Sequence, residues 1–180
     1  RHTISTRDWS SDVCSSDLLF TDGSVHAQSA IGYGAYLSLS GHRLPGESLA
    51  AHVQTKRFTH TSSTKLELQT LLWALSETTL PGHTLAVYTD SQNIVSLPDR
   101  RERYQQSDFR AKNNKPLNNA DLYREFYRFT EQLDCTFIKV NGHQRKKEQD
   151  EIGRIFTLVD RMARHALRNE KKTAPDRYSS

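Results

Sequence analysis

The chain has 180 residues, with 25 Lys and Arg against 21 Asp and Glu, and a formal net charge of +4 at pH 7. This length allows one domain with a substantial hydrophobic core, and the basic balance is compatible with a polyanionic partner. No apolar run is long enough to span a bilayer, so we expect no membrane partner.

Residues 1–18 show neither helical nor strand periodicity, and they lack the apolar stretch of a secretory signal. From Asp8 to Leu18 they match, residue for residue, the translation of a common sequencing-adapter oligonucleotide. We therefore expect residues 1–18 to be an artefactual, disordered segment, with a natural polar tail as the alternative. On this interpretation the domain covers residues 19–172, and a disordered tail follows at 173–180.

Excluding that segment leaves a single cysteine, Cys135. One cysteine supports neither a disulfide framework nor a thiolate metal site, so the sequence favours a reducing, cytoplasmic compartment. We expect a monomer, because no long apolar seam remains once the core helices are assigned.

Three successive strands are predicted in the N-terminal half. The apolar run at 18–21 ends at the sequence DGS (22–24), Ile31–Leu39 favours a partly buried strand, and a third stretch covers Ser48–Phe58. Strands joined in this way by turns predict an antiparallel meander.

The C-terminal half alternates helices and strands. Apolar residues at helical spacing predict helices at 63–79, 118–133 and 151 to about 172, and strands are predicted at 85–89 and 135–140. This order of elements favours a single α/β domain with a mixed sheet.

Two of the predicted strands end in a carboxylate, LFTDGS at Asp22 and VYTDSQ at Asp90. Open α/β sheets bind ligands at the carboxyl ends of their strands, so both acids are candidates for one site. Each Asp could instead merely turn the chain. Two such strand ends in one short domain favour the site.

Two further acids lie on predicted helices. Glu67 borders an apolar stripe, but residues 64–67 also fit a capping box, and the residues themselves do not decide between these interpretations. Asp160 shares the apolar face of the last helix, so it must be paired, protonated or metal-bound; a salt bridge to Arg161 or Arg164 is the alternative. Four acids without a cluster of His or Cys suit Mg²⁺ or Mn²⁺.

Taken together, these motifs resemble type 1 ribonuclease H. The resemblance rests on LFTDGS, TKLELQTLLWAL, VYTDSQNIV, KVNGHQ and VDRMARHAL, in that order, between Leu19 and about Arg168. It implies a ribonuclease H-like α/β fold, with a mixed sheet of three antiparallel strands and then parallel strands, flanked by helices. The activity it implies is endonucleolytic hydrolysis of the RNA strand of RNA/DNA hybrids.

The resemblance also implies which residues perform the chemistry. His143 would assist proton movement or product departure, with an ordinary surface-loop histidine as the alternative. The interval from His143 to Asp160 is longer than in many relatives, so Asp150 competes with Asp160; we favour Asp160 for its apolar face and its VDxxAxxA motif. Two Mg²⁺ ions, for which Mn²⁺ could substitute, would be held by Asp22, which bridges them, and by Glu67, Asp90 and Asp160.

Contacts with an RNA/DNA hybrid follow from the same resemblance. RNA is discriminated through its 2′-OH, and DNA phosphates suit a helix start with free amides and hydroxyls. The basic segment that begins at residue 100 would contact the duplex backbone, although a charge-rich segment can also be merely solvated. The expected residues are Gly23, Ser24 and Gln92 for RNA, Ser62, Ser63 and Thr64 for a DNA phosphate, and Arg100, Arg101 and Arg103 for the duplex backbone.

Three alternatives to a stand-alone bacterial-type hydrolase remain. A transposase- or integrase-like strand-transfer nuclease has the same fold but usually carries added DNA-binding domains and a different final acid. A catalytically inactive hybrid-binding module would not need all four acids. The chain could also be a domain of a larger polyprotein or reverse transcriptase.

Overall fold

A five-stranded sheet forms the centre of the computed structural model, which describes residues 16–40, 48–78, 84–141 and 150–173. The strands lie in the order β3-β2-β1-β4-β5. β1 pairs antiparallel with β2, and β2 with β3, whereas the β1–β4 and β4–β5 pairs are parallel. The predicted mixed sheet is confirmed. Its strands are β1 (Ser16–His26), β2 (Ile31–Leu39), β3 (Gln54–Phe58), β4 (Thr84–Thr89) and β5 (Asp134–Lys139).

Four α-helices flank this sheet in the described part of the chain. One helix, α4, packs against one face, while α1 packs against the other face with α2 and α3 beside it. None of these helices is long and apolar enough to cross a membrane. The helices are α1 (Ser63–Thr78), α2 (Gln92–Gln106), α3 (Ala120–Gln132) and α4 (Glu151–Thr173).

Three elements differ from the prediction. The strand predicted to stop at the sequence DGS (22–24) continues to His26, because residues 22–26 pair with residues 31–35 of β2. The sequence predicts no helix at 92–106, yet α2 forms there; only Ile94 and Leu97 of α2 are buried, so its apolar periodicity is weak, and Pro98 lies inside it. The single strand predicted at 48–58 is instead a short 3₁₀ helix (Leu49–His52) followed by β3. β3 has four exposed residues out of five, as befits an edge strand.

The strand β1 begins at Ser16, inside the segment expected to be artefactual. Its first three residues pair with Thr84, Leu85 and Ala86 of β4. Leu18 also pairs with Leu39 of β2 and packs against the core on the α4 side of the sheet. Backbone pairing of this kind accepts many side chains, so an unusual sequence does not prevent the strand from forming.

Successive side chains of β1 point to opposite faces of the sheet, and the core is divided into two clusters, one on each face. Leu19 points to the α1 side and packs with Leu68 and Leu71, whereas Phe20 points to the α4 side and stacks on Tyr88, with ring centroids 4.9 Å apart. Both β1 side chains are fully buried. β1 therefore anchors the two layers of helices around one central strand.

Glycines allow α1 to approach β1 and β2 unusually closely. A Cβ on Gly34 would lie 2.2 Å from Thr70 Oγ1, and a Cβ on Gly23 would lie 2.9 Å from Leu66. Any side chain at these positions would therefore push α1 away from the sheet. Because Glu67 follows Leu66 directly, this close packing fixes the distance between Glu67 and Asp22 of β1.

Candidate active site

The two predicted strand-end acids meet where β1 and β4 separate. Register pairs between these strands end at Phe20 and Tyr88. Asp22 and Asp90 each lie two residues beyond that last pair, so both reach the same edge of the sheet. β1 also stands where the sheet changes from antiparallel to parallel neighbours, the kind of crevice in which open α/β sheets bind ligands.

Asp22 lies in the middle of the acidic group. Burial raises the pKa of its carboxyl to about 8, and the charge of Asp90 and a hydrogen-bonding contact with Asp160 act in the same direction. The Gly23 N–H donates to Asp22 Oδ1 over 2.8 Å and opposes this rise. The pKa of Asp22 is thus perturbed by burial and by the neighbouring acids, as at many functional sites.

Glu67 reaches the same group from α1 rather than acting as a cap. Ser91 Oγ donates to Glu67 Oε2 over 2.6 Å, and burial, together with the charge of Asp90, raises the pKa of Glu67 despite that bond. The cap of α1 is Ser62, whose Oγ accepts from the Lys65 N–H at 3.4 Å. The capping box considered at 64–67 is therefore not formed in the structure.

Asp160 belongs to the acidic group. It also forms a salt bridge to Arg164, which the sequence offered as an alternative explanation for this acid. Arg164 Nε donates to Asp160 Oδ1 over 2.9 Å, and the Asp160 side chain remains 27% exposed. Asp150, its competitor, accepts from the Gly153 N–H over 2.8 Å and caps the start of α4. The geometry thus joins Asp160, and not Asp150, to Asp22.

A narrow cavity of about 50 Å³ opens beside these acids. Its chemistry is mixed, because two carboxylates and a guanidinium share its wall with an amide, a hydroxyl and a phenyl ring. The lining residues are Asp90, Asn141, Gly153, Phe156, Thr157, Asp160 and Arg164.

The donor chemistry of the acids fits a hard divalent cation. Carboxylate oxygens are the ligands that Mg²⁺ and Mn²⁺ prefer, and a cation would offset both the burial and the repulsion that raise the pKa of Asp22. In the part of the chain that the structure describes, no three acidic, His or Cys side chains are already arranged around one ion position. The fit therefore rests on the chemistry of the side chains that converge. His143 lies outside the described residues.

The residues expected to contact RNA lie close to the acids. Gly23 follows Asp22 on β1, and Ser24 comes next, directly opposite Tyr33 of β2. Gln92 is the first residue of α2 and is exposed, and its Oε1 accepts a 2.9 Å hydrogen bond from Lys139 Nζ. That bond orients the Gln92 side chain, so its amide NH₂ group remains available as a donor.

An open groove of about 440 Å³ lies at the start of α1. It includes Ser62 and Thr64, two of the three residues expected at a DNA phosphate, whereas exposed Ser63 is outside its lining. Three residues from the segment before and within α3 complete the groove, and no sequence pattern predicts them because only the tertiary fold brings them to α1. These are Asn118, Asn119 and Tyr123.

The arginines expected on the duplex backbone are partly engaged within the protein. Arg100 donates to Asn93 Oδ1 over 3.0 Å, and Arg101 forms an ion pair with Glu131 of α3. Arg103 lies over the Tyr104 ring at 5.4 Å and is exposed. Of the three, Arg103 is thus the freest to meet a phosphate.

Known proteins resemble this chain in sequence and in fold. It is 28% identical over 130 residues to a ribonuclease H of Nitrosospira multiformis, covering 69% of this chain and 76% of the relative. It is 26% identical over 145 residues to a ribonuclease H of Pelobacter propionicus, covering 80% and 78%. The solution structure of the PFV RNase H domain superposes with a TM-score of 0.64 at 13% identity, covering 84% of this chain and 93% of that domain.

A longer protein contains the same fold. The foamy viral protease-reverse transcriptase, in its complex with an RNA/DNA hybrid, matches with a TM-score of 0.67 at 11% identity, over 85% of this chain. The chain spans only 20% of that protein's length. At such identity the likeness concerns the fold alone.

A mixed sheet in the order 3-2-1-4-5, with four helices and acids at the β1–β4 edge, defines the ribonuclease H-like class of α/β proteins. The sequence matches the RNase H family model over residues 15–168. The chain belongs to the RNase H family.

Proposed function

We propose that the protein hydrolyses the RNA strand of RNA/DNA hybrids endonucleolytically, with two Mg²⁺ ions for which Mn²⁺ can substitute. The observation that carries this proposal is the convergence of four acids at one sheet edge in a member of the RNase H family. The acids are Asp22, Glu67, Asp90 and Asp160.

When bound, the two ions would activate a water on one side of the phosphorus and stabilise the leaving oxygen on the other. The chain's own residues prepare the site. Ser91 orients the Glu67 carboxylate, Arg164 restrains Asp160, and the backbone N–H of Gly23 holds one oxygen of Asp22. Side chains that are fixed in this way need little reorganisation during the reaction.

The substrate assignment rests on the surroundings of the acids. Gly23, Ser24 and Gln92 flank the acids and would recognise the 2′-OH of RNA. The groove at Ser62 and Thr64 is open and polar, as a nucleic-acid backbone requires. An open groove, rather than a closed pocket, suits a duplex.

The test is cleavage of an end-labelled RNA/DNA hybrid with Mg²⁺, beside RNA/RNA and DNA/DNA duplexes. Asp22→Asn removes one anionic ligand and should lower the cleavage rate by at least about 100-fold. The matched control is Asp134→Asn, since exposed Asp134 lies at the start of β5, at the opposite end of the sheet from Asp90. It should cleave like the wild type.

Each of the other outcomes would favour a different function for this protein. Tight hybrid binding without cleavage would favour an inactive binding module, and joining of DNA ends would favour a strand-transfer nuclease. Equal cleavage by wild type and Asp22→Asn would contradict the assignment of the acids.

A further inference from the structure

The second half of α4 carries a row of cations that extends from the acidic group. Arg164, Arg168 and Lys171 follow Asp160 at intervals of four, four and three residues, the spacing that places side chains on one side of a helix. Arg164 and Asp160 line the same cavity beside Asp90. This side of α4 therefore begins at the carboxylate site and continues away from it along the helix, and we call its three cations the α4 cationic row.

The outer cations of this row are available for binding. Arg168 and Lys171 are exposed, and neither has a hydrogen-bond or ion-pair partner among residues 16–40, 48–78, 84–141 and 150–173. The one acid after Asp160 in α4 is Glu170, which is held by Tyr33 Oη at 2.5 Å and Arg57 Nε at 3.0 Å. Those bonds keep Glu170 against β2 and β3, where it does not neutralise the row.

Arg168 and Lys171 differ in this respect from Arg100 and Arg101 of α2, whereas Arg164 is paired with Asp160 and Arg103 of α2 is exposed. Arg101 is ion-paired with Glu131, and Arg100 is bonded to Asn93. Cations without a partner can release counterions when a phosphate binds, whereas a paired arginine must first give up its carboxylate. Arg168 and Lys171 are therefore better candidates for a backbone contact than Arg100 and Arg101.

The position of α4 determines which strand the row would meet. α4 and α1 lie on opposite faces of the sheet, and the groove for a DNA phosphate lies at the start of α1. If the DNA strand of the hybrid occupies the α1 groove, the nucleic-acid strand next to α4 is the RNA strand, whose phosphate would lie at the acids. From Asp160 to Lys171 the helix extends about 16 Å, enough for several phosphates at about 3.4 Å of duplex axis per nucleotide.

We propose that the α4 cationic row binds the backbone of the RNA strand next to the cleaved phosphate. The inference rests on the proposed function. It adds a second electrostatic contact, on the face of the sheet opposite to the α1 groove, and it explains why the only acid in this half of α4 is held away by Arg57 and Tyr33.

The test compares hybrid binding by two double variants in an Asp22→Asn background, which should slow cleavage at least about 100-fold. Arg168→Gln/Lys171→Gln removes two cations of the row, whereas Arg128→Gln/Lys56→Gln removes one Arg and one Lys from α3 and β3. Fluorescence anisotropy at several KCl concentrations should give about tenfold weaker binding for the row variant, with a slope of log K against log[salt] smaller by about 2. The control should retain its slope.

A second arm identifies the strand. Neutral methylphosphonate linkages placed in the RNA strand beside the cleavage position should weaken binding by the Asp22→Asn protein and abolish the difference between the two double variants. The same linkages in the DNA strand should leave that difference intact. The opposite pattern would overturn the assignment to RNA.

Failure of this inference is distinguishable from failure of the proposed function. If the wild type cleaves the hybrid but the row variant binds with the affinity and salt slope of the control, the row is merely a solvated helix face. If the wild type neither binds nor cleaves any hybrid, the proposed function is overturned, and this inference with it.

Discussion

Asp22, Asp90 and Asp160 bring negative charges together at a partly buried position, which costs free energy unless a proton or a cation compensates. The pKa of Asp22, raised to about 8, expresses that cost. A carboxyl whose pKa is raised on folding contributes stability below the pKa of the unfolded chain, near 4, and this stability is lost as the pH rises towards 8.

We therefore expect Asp22→Asn to stabilise the protein in EDTA, and increasingly so from pH 5 to pH 8. At pH 8 the gain should be about 2 kcal/mol, less than the full pKa shift implies because water screens the half-buried site, and this corresponds to roughly 4–8 °C in Tm. Thermal melts at three pH values measure the difference. Melting temperatures that differ equally at all three values would show that Asp22 does not ionise in this range.

Ser91 connects Glu67 to the start of α2. Its hydroxyl donates to Glu67 and accepts from the Ile94 N–H over 3.3 Å. Ser91→Ala should cost about 1 kcal/mol through the lost helix cap, and it should reduce kcat about tenfold at saturating Mg²⁺ because Glu67 is no longer oriented. Ser91→Thr should restore kcat. A variant with the expected stability loss but full kcat would mean that Ser91 is only a cap.

At the scale of elements, α1 and β2 touch with almost no space between them. Thr70 of α1 packs on Gly34, and its Oγ1 is buried with no hydrogen-bond partner in the described structure. A buried hydroxyl without a partner carries a desolvation cost, which valine, with nearly the same shape, avoids.

We expect Thr70→Val to raise the free energy of unfolding by about 1 kcal/mol. Chemical denaturation measures this change, and Thr78→Val is the control, because the Thr78 hydroxyl donates to the Ala74 carbonyl over 2.6 Å. Destabilisation by Thr70→Val would indicate a partner for the hydroxyl.

The same elements show what local sequence can and cannot predict. α1, β4 and α4 have clear apolar patterns, and their predicted bounds lie within one or two residues of the observed ones, whereas β1 continues past its apolar run to His26 because the hairpin with β2 extends its backbone pairing. α2 lacks such a pattern, because its packing depends on two buried side chains and its cap on Ser91. The Ser91–Glu67 bond and the groove formed by Ser62 with Asn119 join residues far apart in sequence, so no local signal predicts them.

For the whole molecule, the order β3-β2-β1-β4-β5 makes β1 the strand that joins the antiparallel half of the sheet to its parallel half. β1 joins a local hairpin to a partner more than 60 residues away, so its loss would remove both. The first residues of β1, Ser16 to Leu18, contribute to its pairing with β4.

A chain that starts at residue 19 should therefore be less stable than one that starts at residue 16, by about 2 kcal/mol, since it loses ladder hydrogen bonds and the partly buried Leu18. Urea denaturation of the two chains measures the difference. Ser16→Thr/Asp17→Thr in the longer chain should retain its stability, because the pairing uses the backbone. Equal stability of both truncated chains would mean that the first three residues add nothing to the sheet.

Gly34 has a consequence for how mutations in this protein would be interpreted. It touches no acid, and it lies one strand away from Asp22, yet a methyl group there would displace the helix that carries Glu67. In a saturation screen for loss of activity, Gly34 should score like a member of the reactive centre while having no chemistry of its own. A mutational map of the proposed function would thus include a position whose role is to have no side chain.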